Sequence, residues 1–296
     1  MAVIPKEEGP MKKYSIGEGQ FYITNVCNLT CDRCSSYNNR NFKGHFLWED
    51  NKNDYQAWSE ILDIDALSII GGEPFANPDL ENWISGLRTL WPDVKDFSIS
   101  TNGTFFKNKK ELIKKFIYQK VYMDVSVHDP ALYKDVEETL TECLDGFDAH
   151  SIDKGISKEI YVKDTLVAKI SEAYNFSTMS VKSIKDGVTY MHDSDPVKAH
   201  SVCGCNFCHY FVRGKLYKCY LTAITQDLTN QFNIEDRAEQ LLKEYDPCGP
   251  YDDPSKIETF VNKILEPIPQ CRLCTDKPNI RPIWPLAKKK IDYEKI

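Results

Sequence analysis

The chain is 296 residues long, with 37 Lys and Arg against 44 Asp and Glu, a net charge of -7 and 11 cysteines. That length suits one large α/β domain plus a small appendage, and the acidic balance argues against nonspecific binding to a phosphate backbone. No run of residues is apolar enough to span a bilayer, and Met1 to Lys13 is short, polar and charged, unlike a secretory signal, so a cytoplasmic protein with reduced, metal-binding thiols is expected instead of a disulfide framework.

An N-terminal segment, 1–19, leads into a core at 20–195, where β-branched apolar runs alternate with helical periodicity. This pattern predicts parallel strands joined by crossover helices, at Gln20 to Asn25, Ala66 to Ile70, Asp96 to Ser100, Val121 to Ser126, Glu159 to Asp164 and Thr178 to Ile184. Between the second and third strands, Leu80, Trp83, Ile84, Leu87 and Leu90 recur at helical spacing, with Asn77 expected as N-cap and Pro78 at the first helical position.

The first strand runs into Cys27, Cys31 and Cys34, a C-x3-C-x2-C loop. Three thiolates are one too few for a closed four-ligand centre, whereas a [4Fe–4S] cluster on three cysteines leaves one iron open. The second strand ends in Gly71-Gly72-Glu73-Pro74, the third in Ser100-Thr101-Asn102-Gly103, and the fourth in Ser126-Val127-His128.

In order and spacing these motifs resemble those of the radical S-adenosylmethionine (AdoMet) enzymes, over residues 20 to about 200. The resemblance implies a partial (β/α)6 TIM-like barrel, with the motifs at the rim formed by the C-terminal ends of the strands. It also implies that Cys27, Cys31 and Cys34 ligate the catalytic cluster and that AdoMet chelates the open iron and is cleaved to a 5′-deoxyadenosyl radical. Gly71, Gly72 and Glu73 would then meet the methionine ammonium, and Ser100, Asn102 and Ser126 the ribose. The bland readings are a strand-to-helix turn for G-G-E-P and a Thr-Asn-Gly turn for the third motif. Two departures stand out. The residue before the third cysteine is usually aromatic in the family and is Arg33 here, whose guanidinium plane can stack on a purine, with Tyr37 as another candidate beside the adenine. His128 stands where the family often shows Asp, and its role is open.

Region 196–276 carries Cys203, Cys205, Cys208, Cys219, Cys271 and Cys274. Gly214-x4-Cys219 with the later C-x2-C resembles the twitch/SPASM extension of the same family, which implies a second [4Fe–4S] cluster on Cys219, Cys271 and Cys274, with Cys205 or Cys208 as fourth ligand. Tetrahedral thiolates also suit a zinc staple, and only the neighbouring core favours iron. Cys143 and Cys248 read as single structural thiols. A helix capped by Asp253 and opened by Pro254 follows, and 277–296 is a Pro- and Lys-rich tail.

The expected function is a radical AdoMet oxidoreductase, either a dehydrogenase or a peptide- or small-molecule-modifying maturase. It would draw its electron from a partner such as flavodoxin or ferredoxin and act on a small molecule or peptide, with no nucleic acid and no membrane involved. With only about 20 residues before the first strand, no N-terminal peptide-recognition domain is expected. The competing expectation is a non-catalytic iron–sulfur or zinc-stapled protein for electron transfer or binding. Such a protein has no reason to keep Gly71, Gly72, Glu73 and Asn102 beside the three-cysteine loop.

Overall fold

The computed structural model describes residues 14–31, 34, 36–38, 42–173, 176–177, 180–207, 209–277 and 280–281. In chain order the elements are β1 (Tyr14–Tyr22), α1 (Trp48–Ile61), β2 (Leu62–Ile70), α2 (Leu80–Leu90), β3 (Asp96–Thr101), α3 (Lys110–Tyr118), β4 (Tyr122–Val127) and α4 (Pro130–Cys143). There follow β5 (Ala149–Asp153), β6 (Ser157–Val162), β7 (Thr165–Glu172), β8 (Phe176–Ser177), β9 (Val181–Lys185), β10 (Val188–Met191), α5 (Pro196–Ser201), β11 (His209–Val212) and β12 (Lys215–Tyr217). The chain then forms α6 (Tyr220–Ala223), α7 (Thr225–Gln231), β13 (Asn233–Ile234), α8 (Asp236–Lys243), α9 (Pro254–Lys263) and β14 (Ile280–Arg281).

One nine-stranded sheet, ordered β12-β11-β1-β2-β3-β4-β7-β6-β5, organises the molecule. The run from β11 through β1, β2, β3 and β4 to β7 is parallel, six strands in all. The fold is therefore α/β with a mostly parallel sheet, consistent with an open, partial barrel.

Strand alternation divides this sheet into two unlike faces. Phe21, Leu67, Ile69, Phe97, Ile99, Met123, Val125, Val127, Ala168, Ile170 and Phe211 form one apolar face. The buried stripes of α1 to α4 (Tyr55, Trp58, Trp83, Leu87, Ile113, Phe116, Val136 and Leu140 among them) close over it in a single core. Phe21 stacks on Phe211 at 4.6 Å between ring centroids. The indole N–H groups of Trp58, Trp83 and Trp91 each reach a backbone carbonyl, so the aromatic core buries no unpaired indole donor. The other face carries Gln20, Ser68, Ser98, Ser100, Asp124, Ser126 and Lys169.

Four expectations need correcting. The fifth parallel strand is β7; the segment expected there, Glu159 to Asp164, lies largely in β6, which runs antiparallel to β7. Charged, exposed tips at Asp153-Lys154-Gly155 and Lys163-Asp164 turn the chain back as hairpins and add a short meander to the sheet edge. Of the sixth expected strand, Thr178 and Met179 lie outside the described residues, and the remainder, β9, pairs with β10 in a separate small sheet. Its place as sixth parallel strand is taken by β11, beside β1, so the boundary expected at 195 does not divide the sheet. Finally, α2 begins at Leu80 with Asp79 in the N-cap position, two residues later than expected; the Asn77 Oδ1 still accepts from Asp79 N at 2.8 Å, while its Nδ2 donates to the carbonyls of Ile23 and Phe46. At α9 the expected cap holds: Asp253 accepts from Ser255 N at 2.8 Å, ahead of Pro254. Of the tail, only Lys277, Ile280 and Arg281 lie among the described residues.

Candidate active site

Beyond the C-terminal ends of β1 to β4 lies a cleft of about 310 Å3, lined by Cys27, Cys31, Cys34, Gly71, Gly72, Ser100, Asn102 and Ser126 together with Gln20, Leu29, Ser36, Ile70, Thr101, His128 and Tyr210. Eight residues expected from the sequence thus converge on one hollow. Arg33 and Cys208 lie outside the described residues.

The cysteine loop is built by hydrogen bonds that its sequence supplies. Gly72 N donates to Thr24 O and Glu73 N to Val26 O, both at 2.8 Å, which prolongs the pairing of the first two strands past their ends. Both glycines are required by this approach. A Cβ on Gly72 would stand 2.3 Å from Val26 O, and one on Gly71 2.8 Å from Thr24 O. The missing side chains make room for the loop's own backbone. On the far limb, Asn38 donates to Asn25 O at 2.8 Å and to the Tyr22 hydroxyl, which in turn donates to Asn25 Oδ1 at 2.9 Å. These groups are buried and mutually satisfied, the condition under which a polar network rigidifies a loop.

Glu73 takes a different position from the one the motif suggested. Its carboxylate is fully buried and accepts from Phe75 N at 3.0 Å, Thr101 Oγ1 at 2.7 Å and Asn102 N at 2.7 Å, so it clamps the loop after β2 to the end of β3 and does not line the cleft. Burial pushes its pKa up to about 7, opposed by the three donors. Asn102 in turn donates to Asn28 Oδ1 at 3.0 Å, and its amide lies beside Cys27 Sγ. The third motif therefore positions the first cysteine directly. Burial raises the Cys27 thiol strongly, with nearby Glu73 adding to it, and pushes Cys31 up to about 12, so without a metal both are protonated.

His128 also lines the cleft. Its Nδ1 meets Ala173 O at 3.0 Å, and since a carbonyl only accepts, Nδ1 carries the proton. Burial lowers its pKa, so the ring is neutral near pH 7 and Nε2 is an acceptor. Tyr37, a candidate for the adenine side, is instead buried in a second core with Tyr220 and hydrogen-bonded to Ser180. Sequence reasoning missed Gln20 and Tyr210. Gln20 follows from alternation along β1, but Tyr210 enters only because β11 pairs with β1.

The second thiol set gathers some distance along the chain. The β11–β12 hairpin turns at Arg213 and Gly214, both at positive φ, and delivers Cys219 to the N-cap of α6. Cys274 lies within electrostatic reach of Cys219, Cys203, Cys271 and Cys205, and burial raises its thiol well above the usual range. Cys203 is pushed up to about 11, again chiefly by burial. Tyr220 is 2% exposed, and its hydroxyl has no hydrogen-bond partner among the described residues and lies within electrostatic reach of Cys274, Cys205 and Cys219. A buried donor without an acceptor needs explaining, and cluster sulfur is an acceptor. Among the described residues no three Cys, His, Asp or Glu side chains surround a single ion position, and every described cysteine is a free thiol. Cys143 and Cys248 are fully buried in the main core.

Residues 21–137 match the family model of the Radical SAM superfamily. The chain is similar to a probable GTP 3′,8-cyclase of Methanococcus vannielii, 26% identical over 140 residues that cover 47% of this chain and 44% of the relative. It is also similar to a GTP 3′,8-cyclase of Aquifex aeolicus, 29% identical over 109 residues covering 36% and 33%. The chain spans half or less of the length of such relatives. A solved structure of native anSMEcpe with bound AdoMet and Kp18Cys peptide aligns with a TM-score of 0.35 and 16% identity, over 45% of this chain and 41% of that one.

Proposed function

We propose that this chain, whose residues 21–137 match the Radical SAM superfamily model, is an enzyme that binds a [4Fe–4S] cluster on Cys27, Cys31 and Cys34 and AdoMet in the adjoining cleft. When bound, the cluster supplies the electron that splits the AdoMet sulfonium and yields a radical able to abstract hydrogen from a substrate. The observation that carries this reading is the convergence of the three thiols with Gly71, Gly72, Ser100, Asn102 and Ser126 on one cleft that no fourth described cysteine lines.

The chain's own residues do the positioning. Asn102 and Asn28 fix the first cysteine, while Asn25, Asn38 and Tyr22 hold the loop that carries the third. Glu73 locks the second and third motifs together from behind the cleft. Ser100 and Ser126 offer hydroxyls on adjacent strands, and neutral His128 offers Nε2 as an acceptor. A second cluster on Cys219, Cys271 and Cys274 with a further ligand from Cys203, Cys205 or Cys208 would take up an electron from the substrate radical or bind substrate. The Tyr220 hydroxyl, without a hydrogen-bond partner among the described residues, suits a metal-thiolate or sulfide acceptor at this centre, and the neighbouring radical core is what favours iron–sulfur over zinc there. An oxidation or a maturase reaction on a small molecule or peptide, fed by flavodoxin or ferredoxin, fits this arrangement.

The test is anaerobic reconstitution followed by iron and sulfide counts and detection of 5′-deoxyadenosine with dithionite and AdoMet. The expected result is about eight iron atoms per chain, about four on Cys219→Ser or Cys274→Ser, and deoxyadenosine that vanishes on Cys27→Ser. Clusters without deoxyadenosine would refute the reading.

A further inference from the structure

Beneath the cleft the sheet face opposite the helices continues as a polar wall, where parallel barrels ordinarily pack Val, Ile and Leu. Strand register fixes its composition. Gln20 stands opposite Ser68, Ser68 opposite Ser98, and Ser98 opposite Tyr122. One row nearer the rim, Ser100 stands opposite Asp124, Asp124 opposite Lys169, and Lys169 opposite Glu159. Asp124 precedes the cleft-lining Ser126 by two residues on β4, so it lies on the same face roughly 6.6 Å deeper.

This wall contrasts with the satisfied loops above it. Ser100, Tyr122, Asp124, Ser126, Lys169 and Ser171 are all only half-buried, and their side chains make no hydrogen bond or ion pair with another described residue. Of these, Ser100 and Ser126 line the cleft, and the others lie on the same face of the sheet. Glu159, by contrast, is engaged by Tyr161 and Lys154. That leaves Glu18, which accepts from Gln20, and Asp124 against Lys169 alone, with both charges within electrostatic reach of Asp124. Carboxylate is in excess over ammonium, and hydroxyls surround both.

A ligand matching this wall supplies one positive charge and several hydroxyls, because a partly buried carboxylate without a full counter-charge is costly. A triphosphate would set several negative charges against Glu18 and Asp124 with, among the described residues, a single lysine of this wall to meet them. We propose that the substrate of this chain is a small hydroxylated amine, its ammonium seated between Asp124 and Glu18 and its hydroxyls on Tyr122 and Ser171, clear of the serines read above as facing AdoMet, and that the site does not accept a nucleoside triphosphate. This names the substrate class for the cleft read above as the active site, and it rests on that reading.

The test is equilibrium titration of the reconstituted holoenzyme, with AdoMet present, by D-glucosamine, N-acetyl-D-glucosamine and GTP. N-acetylation removes the positive charge and keeps the hydroxyls. Glucosamine is expected to bind about tenfold or more tighter than either of the others, and Asp124→Asn and Glu18→Gln each to reduce that preference about tenfold. Circular dichroism checks that both variants remain folded, and the comparison of the three ligands on wild-type protein does not depend on them. Failure of glucosamine to bind, equal binding of the N-acetyl compound, or tighter binding of GTP would each overturn the proposal. A preparation that holds no iron on the three-cysteine loop yet keeps the amine preference would sink the radical reading and leave the ligand class standing.

Discussion

Replacing Gly72 with alanine puts the new methyl carbon 2.3 Å from Val26 O, 2.6 Å from Val26 C and 3.0 Å from Cys27 Cβ. The obstacles are backbone atoms, which cannot rotate aside, so the loops after β1 and β2 must part by roughly 1 Å to restore ordinary contact. That motion lengthens two hydrogen bonds now at 2.8 Å, Gly72 N to Thr24 O and Glu73 N to Val26 O. At about 1 kcal/mol each, their weakening costs about 2 kcal/mol. The smaller unfolded-state entropy of alanine offsets about 0.4–1 kcal/mol of that, so a net loss of about 1–2 kcal/mol is expected before any residual overlap is counted. Cys27 moves with the loop, and the geometry of the three thiols moves with it. Urea denaturation of cluster-free protein reads the first effect, and iron content after anaerobic reconstitution reads the second. Gly17→Ala is the control: no atom lies within 4 Å of its Cβ position and its φ is not positive, so unchanged or slightly higher stability and full iron loading are expected. A Gly72→Ala protein with the wild-type urea midpoint and iron content would refute the close-approach account of this motif.

Glu73→Gln is expected to destabilise by about 1–3 kcal/mol, because an amide group would face the Asn102 or Thr101 donor, and a urea series against wild type measures it. The same pair tests linkage. The folded carboxyl titrates near 7 against an ordinary 4.5, so the folded state holds the proton between those values and wild-type stability falls as pH rises through that window, full cost being reached above pH 7. Glu73→Gln should lack that slope, and parallel pH profiles for the two proteins would contradict it. Tyr220→Phe removes a buried, partnerless hydroxyl, so cluster-free protein should gain up to about 1 kcal/mol; once loaded, it should keep its iron count while the potential of the second centre falls, as potentiometry would show. Since burial holds Cys27, Cys31 and Cys203 protonated, cluster assembly must release protons, and loading at a fixed iron supply should rise from pH 7 to 9. A flat loading profile would count against it.

Local chemistry made much of the site legible. The C-x3-C-x2-C loop, the glycine pair after β2 and the Ser-Thr-Asn-Gly end of β3 are each a few residues long, and a strand of period two followed by a turn leaves little choice about where such residues emerge. The strand ends of β1 to β4 were therefore readable, and the cleft they form with them. The direction of Glu73 was not, because it depends on which donors fold up around a carboxylate, and those come from β3. Nor was Tyr37, whose partners Tyr220 and Ser180 lie far along the chain.

The alternation of apolar strands and amphipathic helices, the three thiols at the mouth of β1 and the presence of a second thiol set were all written in the order of residues, because each is a property of near neighbours along the chain. Long-range pairing was needed for β11 to join β1 and bring Tyr210 to the cleft, for β5 and β6 to fold back antiparallel, and for Asp124, Lys169 and Glu18 to share one face of the sheet. Pairings across tens of residues are set by long-range register and by which face of the sheet the helices bury, and the spacing of residues along one strand carries no record of either.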